Sequence, residues 1–199
     1  MSIKNRENLK STWQTQKHSH VSQFTAAARY GMDKGDNEYV RLFDKYYPKF
    51  SGKILEIGAG TGWFAKQILS TRRGVEYTVL DIETNLYTVK ETLLPFKDVT
   101  YITSTDYKKI FDEEYDLLIA THCLSETPRY YYTDILEKLM VSSCFVIDYG
   151  GDPNDPGFND TLNSWANTFP SLEIDENNKL LGASKNPIPV YIGKERKND

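Results

Sequence analysis

Three glycines alternate at Gly58, Gly60 and Gly62 within KILEIGAGTGWFAKQIL, the stretch from Lys53 to Leu69. They follow an apolar run directly and precede a helical pattern directly. Gly58 and Gly60 remove Cβ atoms where a ligand has to approach the backbone, and each permits positive φ. Gly62 lets the next helix start close to the strand. That helix N-terminus offers free N–H groups and partial positive charge. Two acids flank the bend. Asp81 ends the next apolar run, EYTVLDI, where a carboxylate can accept both hydroxyls of a ribose. Glu56 stands two residues before the first glycine. It opposes a pyrophosphate electrostatically and favours a cationic or amine-bearing ligand. A zwitterionic amino acid joined to an adenosine suits this pair better than a diphosphate does. The lysine and Ser/Thr of a phosphate-binding loop are missing, which argues against a nucleoside triphosphate.

Such a bend needs a strand before it and a helix after it, and the chain supplies a series of both. KILEIGAG, EYTVLDI, VTYITST, YDLLIATH and SCFVIDYGG read as buried strands. GWFAKQILS, LYTVKETLLPF and RYYYTDILEKLM read as helices, the last with Ile135, Leu136, Leu139 and Met140 as its apolar stripe. Strands rich in Val, Ile and Leu that alternate with helices predict a parallel sheet covered on both faces. Right-handed crossovers then give an α/β, Rossmann-like, doubly wound, mostly parallel sheet in three layers, α/β/α, as one domain. Ligands of such sheets bind outside the carboxyl ends of the strands.

The flanks are less regular. The first twenty residues are polar and read as an arm. Val21 to Tyr30 and Tyr39 to Tyr47 show helical spacing, and Pro48 ends the second. Residues 1–50 are therefore expected to form an N-terminal arm and helical lid over a core at 51–199. After Gly151, DPNDPGFND reads as a loop, TLNSWANTF as a helix, LEIDENNKLLG as a hairpin around Asn177–Asn178, and IPVYIGKER as a terminal strand.

The bulk numbers bound the function. The chain has 199 residues and a net charge of −4, so no large cationic field for nucleic acid is expected. Its two cysteines, Cys123 and Cys144, make no disulfide framework and show no metal-ligand spacing. No apolar stretch reaches the length of a membrane span. A cytoplasmic protein is the expectation. The sequence does not reveal its oligomeric state.

LEIGAGTG, followed after one helix by VLDI, resembles the first two motifs of the class I S-adenosylmethionine-dependent methyltransferases. The resemblance covers about two thirds of the chain and implies S-adenosyl-L-methionine as cofactor. It implies that Glu56, Gly58, Ala59 and Gly60 border the amino-acid part, with Gly62 opening the helix. Asp81 then holds the ribose and Ile82 lies against the adenine. Asp106, in TSTDYKKI, matches the position that meets the adenine amino group, and Tyr107 follows it. Ordinary capping and turn formation are the plain structural alternative for Asp81 and Asp106. The N-terminal segment of this fold often closes over the cofactor, which makes Tyr30 the expected lid contact.

Methyl transfer asks little of the protein beyond aligning the acceptor and removing its proton. The acceptor normally sits beyond the fourth strand, here ATHCLSETP. Thr121 ends that strand on the cofactor side. His122 is the candidate base, with an ordinary pKa near neutrality, roughly 6.5; the alternative is that it packs beneath the cofactor. Glu126 either orients His122 or binds a polar acceptor, unless it only favours the N-terminal turn of the next helix. Asp148, past the fifth strand, is the reserve base. THCLSETP is also similar to a THxxSE segment in a group of sugar O-methyltransferases, although VIDYGG departs from that group's fifth strand.

These readings give methyl transfer to a small polar acceptor, a hydroxyl in the first instance. The competitors are an N-methyltransferase acting on a small amine or protein side chain, a non-catalytic cofactor-binding module, and a Rossmann oxidoreductase. The Asn/Asp-Pro-Pro-aromatic motif of DNA-base methyltransferases is missing. So is the fourth-strand aspartate of metal-dependent catechol-type enzymes. Two prolines break the calcium-loop spacing of Asp152–Asp160. No metal, nucleic acid or membrane partner is expected.

Overall fold

A computed structural model describes residues 38–121, 123–124, 127–147, 156–169, 171–175 and 190–194. In chain order its elements are helix α1 (Glu38–Tyr46), strand β1 (Gly52–Ile57), α2 (Trp63–Thr71), β2 (Val75–Asp81), α3 (Glu83–Leu93) and β3 (Val99–Thr103). A 3₁₀ helix, Ser104–Asp112, leads to β4 (Leu117–Thr121). Then come α4 (Arg129–Lys138), β5 (Cys144–Ile147), α5 (Pro156–Ala166), β6 (Glu173–Asp175) and β7 (Val190–Gly193).

The seven strands form one sheet in the order β3-β2-β1-β4-β5-β7-β6. The first five are mutually parallel; β7 runs antiparallel to both β5 and β6. The order reverses between β1 and β4, so the glycine bend after β1 lies at the switch point where an open α/β sheet receives its ligand. The expected doubly wound, mostly parallel sheet is the fold observed.

Each face of the sheet has its own core. Ile54, Tyr77, Val79, Ile119 and Phe145 pack under α1, α2 and α3, whose Phe43, Phe64, Ile68, Leu86 and Val89 point inward. Leu55, Ile57, Leu80, Leu118 and Val146 face the other way, under the 3₁₀ helix, α4 and α5. The strict alternation along β1 and β2 is what divides the apolar residues between the layers.

Helix α1 is built into the first of these cores. Tyr39, Leu42, Phe43, Tyr46 and Tyr47 are all buried, and Phe43 meets Phe64 and Phe145 edge-on at 5.8 and 5.6 Å. The Tyr47 hydroxyl donates to the Cys144 carbonyl at 2.9 Å, with the Gly193 carbonyl at 3.1 Å. The boundary expected at residue 51 thus runs through a packed unit, since residues 39–47 share the core of residues 54–147.

Two local expectations are corrected. DPNDPGFND does not read through as loop: Pro156–Asp160 form the first turn of α5. Proline is tolerated in a first helical turn because its missing N–H has no intrahelical partner there. The connection after β3 carries a nine-residue 3₁₀ helix that the apolar spacing did not announce. The expected helix at 21–30 and the hairpin turn at Asn177–Asn178 lie outside the described residues. Among the described residues no helix is long and apolar enough to cross a membrane.

Candidate functional site

The turn after β1 is held at both of its ends. The Gly58 N–H donates to the Leu80 carbonyl at 2.9 Å, and the Gly62 N–H donates to the Ala59 carbonyl at 2.9 Å. Gly58, Gly60 and Gly62 have φ of 74°, 60° and 74°, the left-handed region that disfavours side chains.

The three glycines serve different ends. A Cβ on Gly58 would lie 2.4 Å from the Cβ of Cys123, so this residue makes room for the segment after β4. A Cβ on Gly62 would meet Val89 at 3.1 Å from Cγ1 and 3.2 Å from Cα. Gly62 therefore brings the start of α2 against α3, where the expectation had been closeness to the strand. Only Gly60 faces open space, with nothing within 4 Å of the same construction. Of the three, Gly60 is where a ligand can approach the backbone.

Asp81 ends β2 and is 1% exposed. Its Oδ2 accepts the Gly60 N–H at 2.9 Å, and its Oδ1 accepts the Ile82 N–H at 2.7 Å and the Asn85 Nδ2 at 2.8 Å. A carboxylate offers about four acceptor positions. Among the described residues three are filled, two on Oδ1 and one on Oδ2. Burial raises its pKa to about 6, and the three donors limit that rise.

Glu56 lies on the same sheet face, also 1% exposed. Its Oε2 accepts the Tyr77 hydroxyl at 2.9 Å. Its Oε1 has no hydrogen-bond partner among the described residues. Burial is the main cause that raises its pKa to about 8; the Tyr77 bond works against the rise and the charge of Asp81 adds to it. A buried carboxyl with one unfilled oxygen, beside an open backbone bend, is ready for a cationic partner. A second unsatisfied group lies three residues past Asp81: Thr84 Oγ1 is buried without a partner among the described residues.

Other expected residues occupy distinct settings. Ile82 is wholly buried in the core that also contains Ile102, Tyr107 and Tyr131. Asp106 is exposed and paired with Lys109 at 2.7 Å in the first turn of the 3₁₀ helix. Tyr107 is buried; its hydroxyl donates to Asp134 at 2.6 Å and its ring lies 4.1 Å from that of Tyr131. Burial and Asp134 push its pKa up to about 12. Ala59 is partly buried against the α1–α3 core. Thr121 ends β4 opposite Ile147 of β5. His122, Glu126, Asp148 and Tyr30 lie outside the described residues.

Two residues escaped the sequence reading. Cys123 donates its thiol to the Ile57 carbonyl at 2.8 Å, tying the segment after β4 to the end of β1. Tyr77 reaches Glu56 across the sheet. The alternation in EYTVLD could have revealed it, since Tyr77, Val79 and Asp81 necessarily share one face.

A groove of about 990 Å³ lies toward the opposite, amino ends of β1, β2 and β3, lined by Lys53, Glu76, Lys97, Thr100 and Glu113 among others. Lys53 there pairs with Glu113 at 2.9 Å. It is remote from the glycine bend, and parallel sheets take their ligands at the carboxyl ends. Among the described residues no group of three or more His, Cys, Asp or Glu is gathered as a metal site requires.

No family profile matches the chain. Prosolanapyrone synthase of Alternaria solani is 34% identical over 104 residues, which are 46% of this chain and 4% of that protein. A malonyl-[acyl-carrier protein] O-methyltransferase of Bacteroides thetaiotaomicron is 26% identical over 120 residues, 59% of this chain and 46% of that enzyme. The chain thus spans less than half the length of either relative. Among solved structures, the CurJ carbon methyltransferase superposes with a TM-score of 0.55 at 16% identity, covering 79% of this chain and 52% of that one. A Haemonchus contortus phosphoethanolamine N-methyltransferase, bound to S-adenosylhomocysteine, gives 0.58 at 17% identity, covering 84% and 46%. The fold is that of the S-adenosylmethionine-dependent methyltransferases. The fold expected from the resemblance of LEIGAGTG and VLDI is thus the fold observed.

Proposed function

We propose that this chain is a class I methyltransferase that binds S-adenosyl-L-methionine at the bend after β1 and methylates a small polar acceptor, a hydroxyl in the first instance. One observation carries the cofactor assignment. Gly60 presents bare backbone to open space near two buried acids, one of which has a carboxyl oxygen with no hydrogen-bond partner among the described residues. A phosphate chain would bring negative charge against Glu56 and Asp81, whereas an ammonium and a ribose hydroxyl supply what these acids lack.

When bound, the cofactor supplies an activated methyl group on a sulfonium. The chain's part is to bind, align and deprotonate. Glu56 meets the ammonium, Asp81 accepts a ribose hydroxyl, and the N-terminal turn of α2 faces the carboxylate. His122, next in sequence to Thr121 at the carboxyl end of β4, is the proposed base for the acceptor hydroxyl. Glu126 and Asp148 are proposed to line the acceptor side, and Tyr30 to close over the cofactor. We expect no nucleic acid partner, since the net charge is −4.

The comparisons favour one second reading. The curated relatives include a synthase and an enzyme acting on a carrier-bound malonyl group, and the solved neighbours act on carbon and on nitrogen. An acyl group in place of a sugar-like hydroxyl follows from that reading.

Calorimetry with S-adenosylhomocysteine tests the cofactor assignment: saturable binding is expected, and its absence overturns the proposal. For the acceptor step, His122→Ala should reduce turnover by about a hundredfold, the contribution of a general base, and leave cofactor affinity intact. Unchanged turnover would rule out a hydroxyl deprotonated by His122.

A further inference from the structure

Glu56 faces a difficulty that its role creates. A carboxylate that meets an ammonium has to stay ionised and correctly aimed, yet this one is buried on a strand among Ile54, Val79 and Ile119. Among the described residues a single hydrogen bond holds it, the Tyr77 hydroxyl at 2.9 Å on Oε2. Tyr77 is itself 1% exposed. The register pairs Tyr77 with Ile54 and Val79 with Glu56, so the tyrosine sits one pleat behind the acid on the same face. From there its ring runs along the sheet and the hydroxyl arrives from the side away from the glycine bend. The backbone behind it is fixed too, because the Tyr77 N–H donates to the Asp98 carbonyl at 3.0 Å.

Resting on the cofactor reading above, we propose that Tyr77 is a positioning residue for recognition of the cofactor's amino-acid end. Its hydroxyl occupies Oε2 of Glu56 and so presents Oε1 to the ammonium. The phenol suits the task for two reasons. It is a donor with no charge of its own, so it steadies the carboxylate without neutralising it as a lysine would. It also fills the volume between β1 and the helices above, which keeps water from competing for the same oxygen. No comparable support is needed by Asp81, which takes its donors from the turn after β1, from the adjoining Ile82 N–H and from α3.

This role predicts a split between two ligands that share the adenosine but differ in the amino-acid end. S-adenosylhomocysteine carries the ammonium; 5′-methylthioadenosine lacks it. Tyr77→Phe is expected to weaken S-adenosylhomocysteine on the order of tenfold, the scale of one hydrogen bond to a charged group. Methylthioadenosine should stay within about twofold. Glu56→Gln should show the same split, and adding Tyr77→Phe to it should change little more, because the two residues act as one unit. Equal loss for both ligands, or no loss for either, overturns the positioning role and leaves the cofactor reading standing. Failure of the unaltered protein to bind S-adenosylhomocysteine overturns both. Should Tyr77→Phe not fold, Glu56→Asp carries the test from the other side. It draws the carboxylate one methylene back from the Tyr77 hydroxyl and keeps the charge. The same split is then expected, and an unchanged ratio of the two affinities overturns the inference.

Discussion

The ends of β1 and β2 lie side by side, and each carries a carboxylate shielded from water. Among the described residues Asp81 has three donors from its own surroundings, whereas Glu56 has one, from a tyrosine on the neighbouring strand. Burial raises both pKa values, Asp81 to about 6 and Glu56 to about 8. The difference follows the count of donors, because each hydrogen bond to the ionised form offsets part of the desolvation cost. Asp81 is thereby a part of the fold, since it ties Gly60 in the turn after β1 to Ile82 and Asn85 at the start of α3. Glu56 has a single donor among the described residues against a full burial cost, which leaves its ionised form less favoured than that of Asp81.

The largest effect expected from breaking this comparison falls on Asp81. Asp81→Ala strands three donors, two of them backbone N–H groups, at about 1–3 kcal/mol for each that water does not reach. Thermal unfolding should occur well below that of the unaltered chain, and calorimetry should show affinity for S-adenosylhomocysteine reduced by a hundredfold or more, roughly. A modest change in both would mean that Asp81 is only a cap.

The glycines give an intermediate effect and separate structural need from ligand access. Gly58→Ala drives a Cβ into Cys123 at a positive φ, with a cost of about 3 kcal/mol or more. Gly60→Ala meets only the backbone strain, about 1–2 kcal/mol. Denaturant unfolding should therefore rank Gly58→Ala as the more damaging. The folded Gly60→Ala protein should still lose cofactor affinity, because the methyl group stands in the open approach. Equal unfolding midpoints would contradict the contact with Cys123.

A pH dependence isolates Glu56. Its ordinary value of 4.5 rises to about 8 on folding, so the folded chain holds an extra proton between those limits. Stability from this source is fully present below the lower value and is lost as pH rises through the upper one. Asp81 contributes with the same sign between 3.8 and about 6. Glutamine does not titrate, so the melting temperature of Glu56→Gln relative to the unaltered chain should climb by on the order of ten degrees between about pH 5 and about pH 9. A flat difference would mean that Glu56 is ionised throughout in the free protein.

Much of the fold was legible because its signals are local. Alternation along KILEI and EYTVLD, glycines after an apolar run and helical spacing in RYYYTDILEKLM each act within a few residues. They point to the parallel strands and to the bend with its two acids. Local signals also misled where composition and context disagree, as at Pro156 in the first turn of α5. The antiparallel insertion of β7 between β5 and β6 has no local mark, because it depends on which edge the returning chain finds vacant.

Sequence alone determined that two carboxylates flank a glycine-rich turn between a strand and a helix, since residue type and spacing are local properties of the chain. Tertiary structure alone decided what each residue of the turn does. Gly58 clears Cys123, Gly62 clears Val89, and Gly60 faces open space. It also decided that Tyr77, twenty-one residues along the chain from Glu56, is the one that holds it. The physical reason is that burial and hydrogen-bond supply are set by neighbours across the sheet, and strand register is what chooses those neighbours.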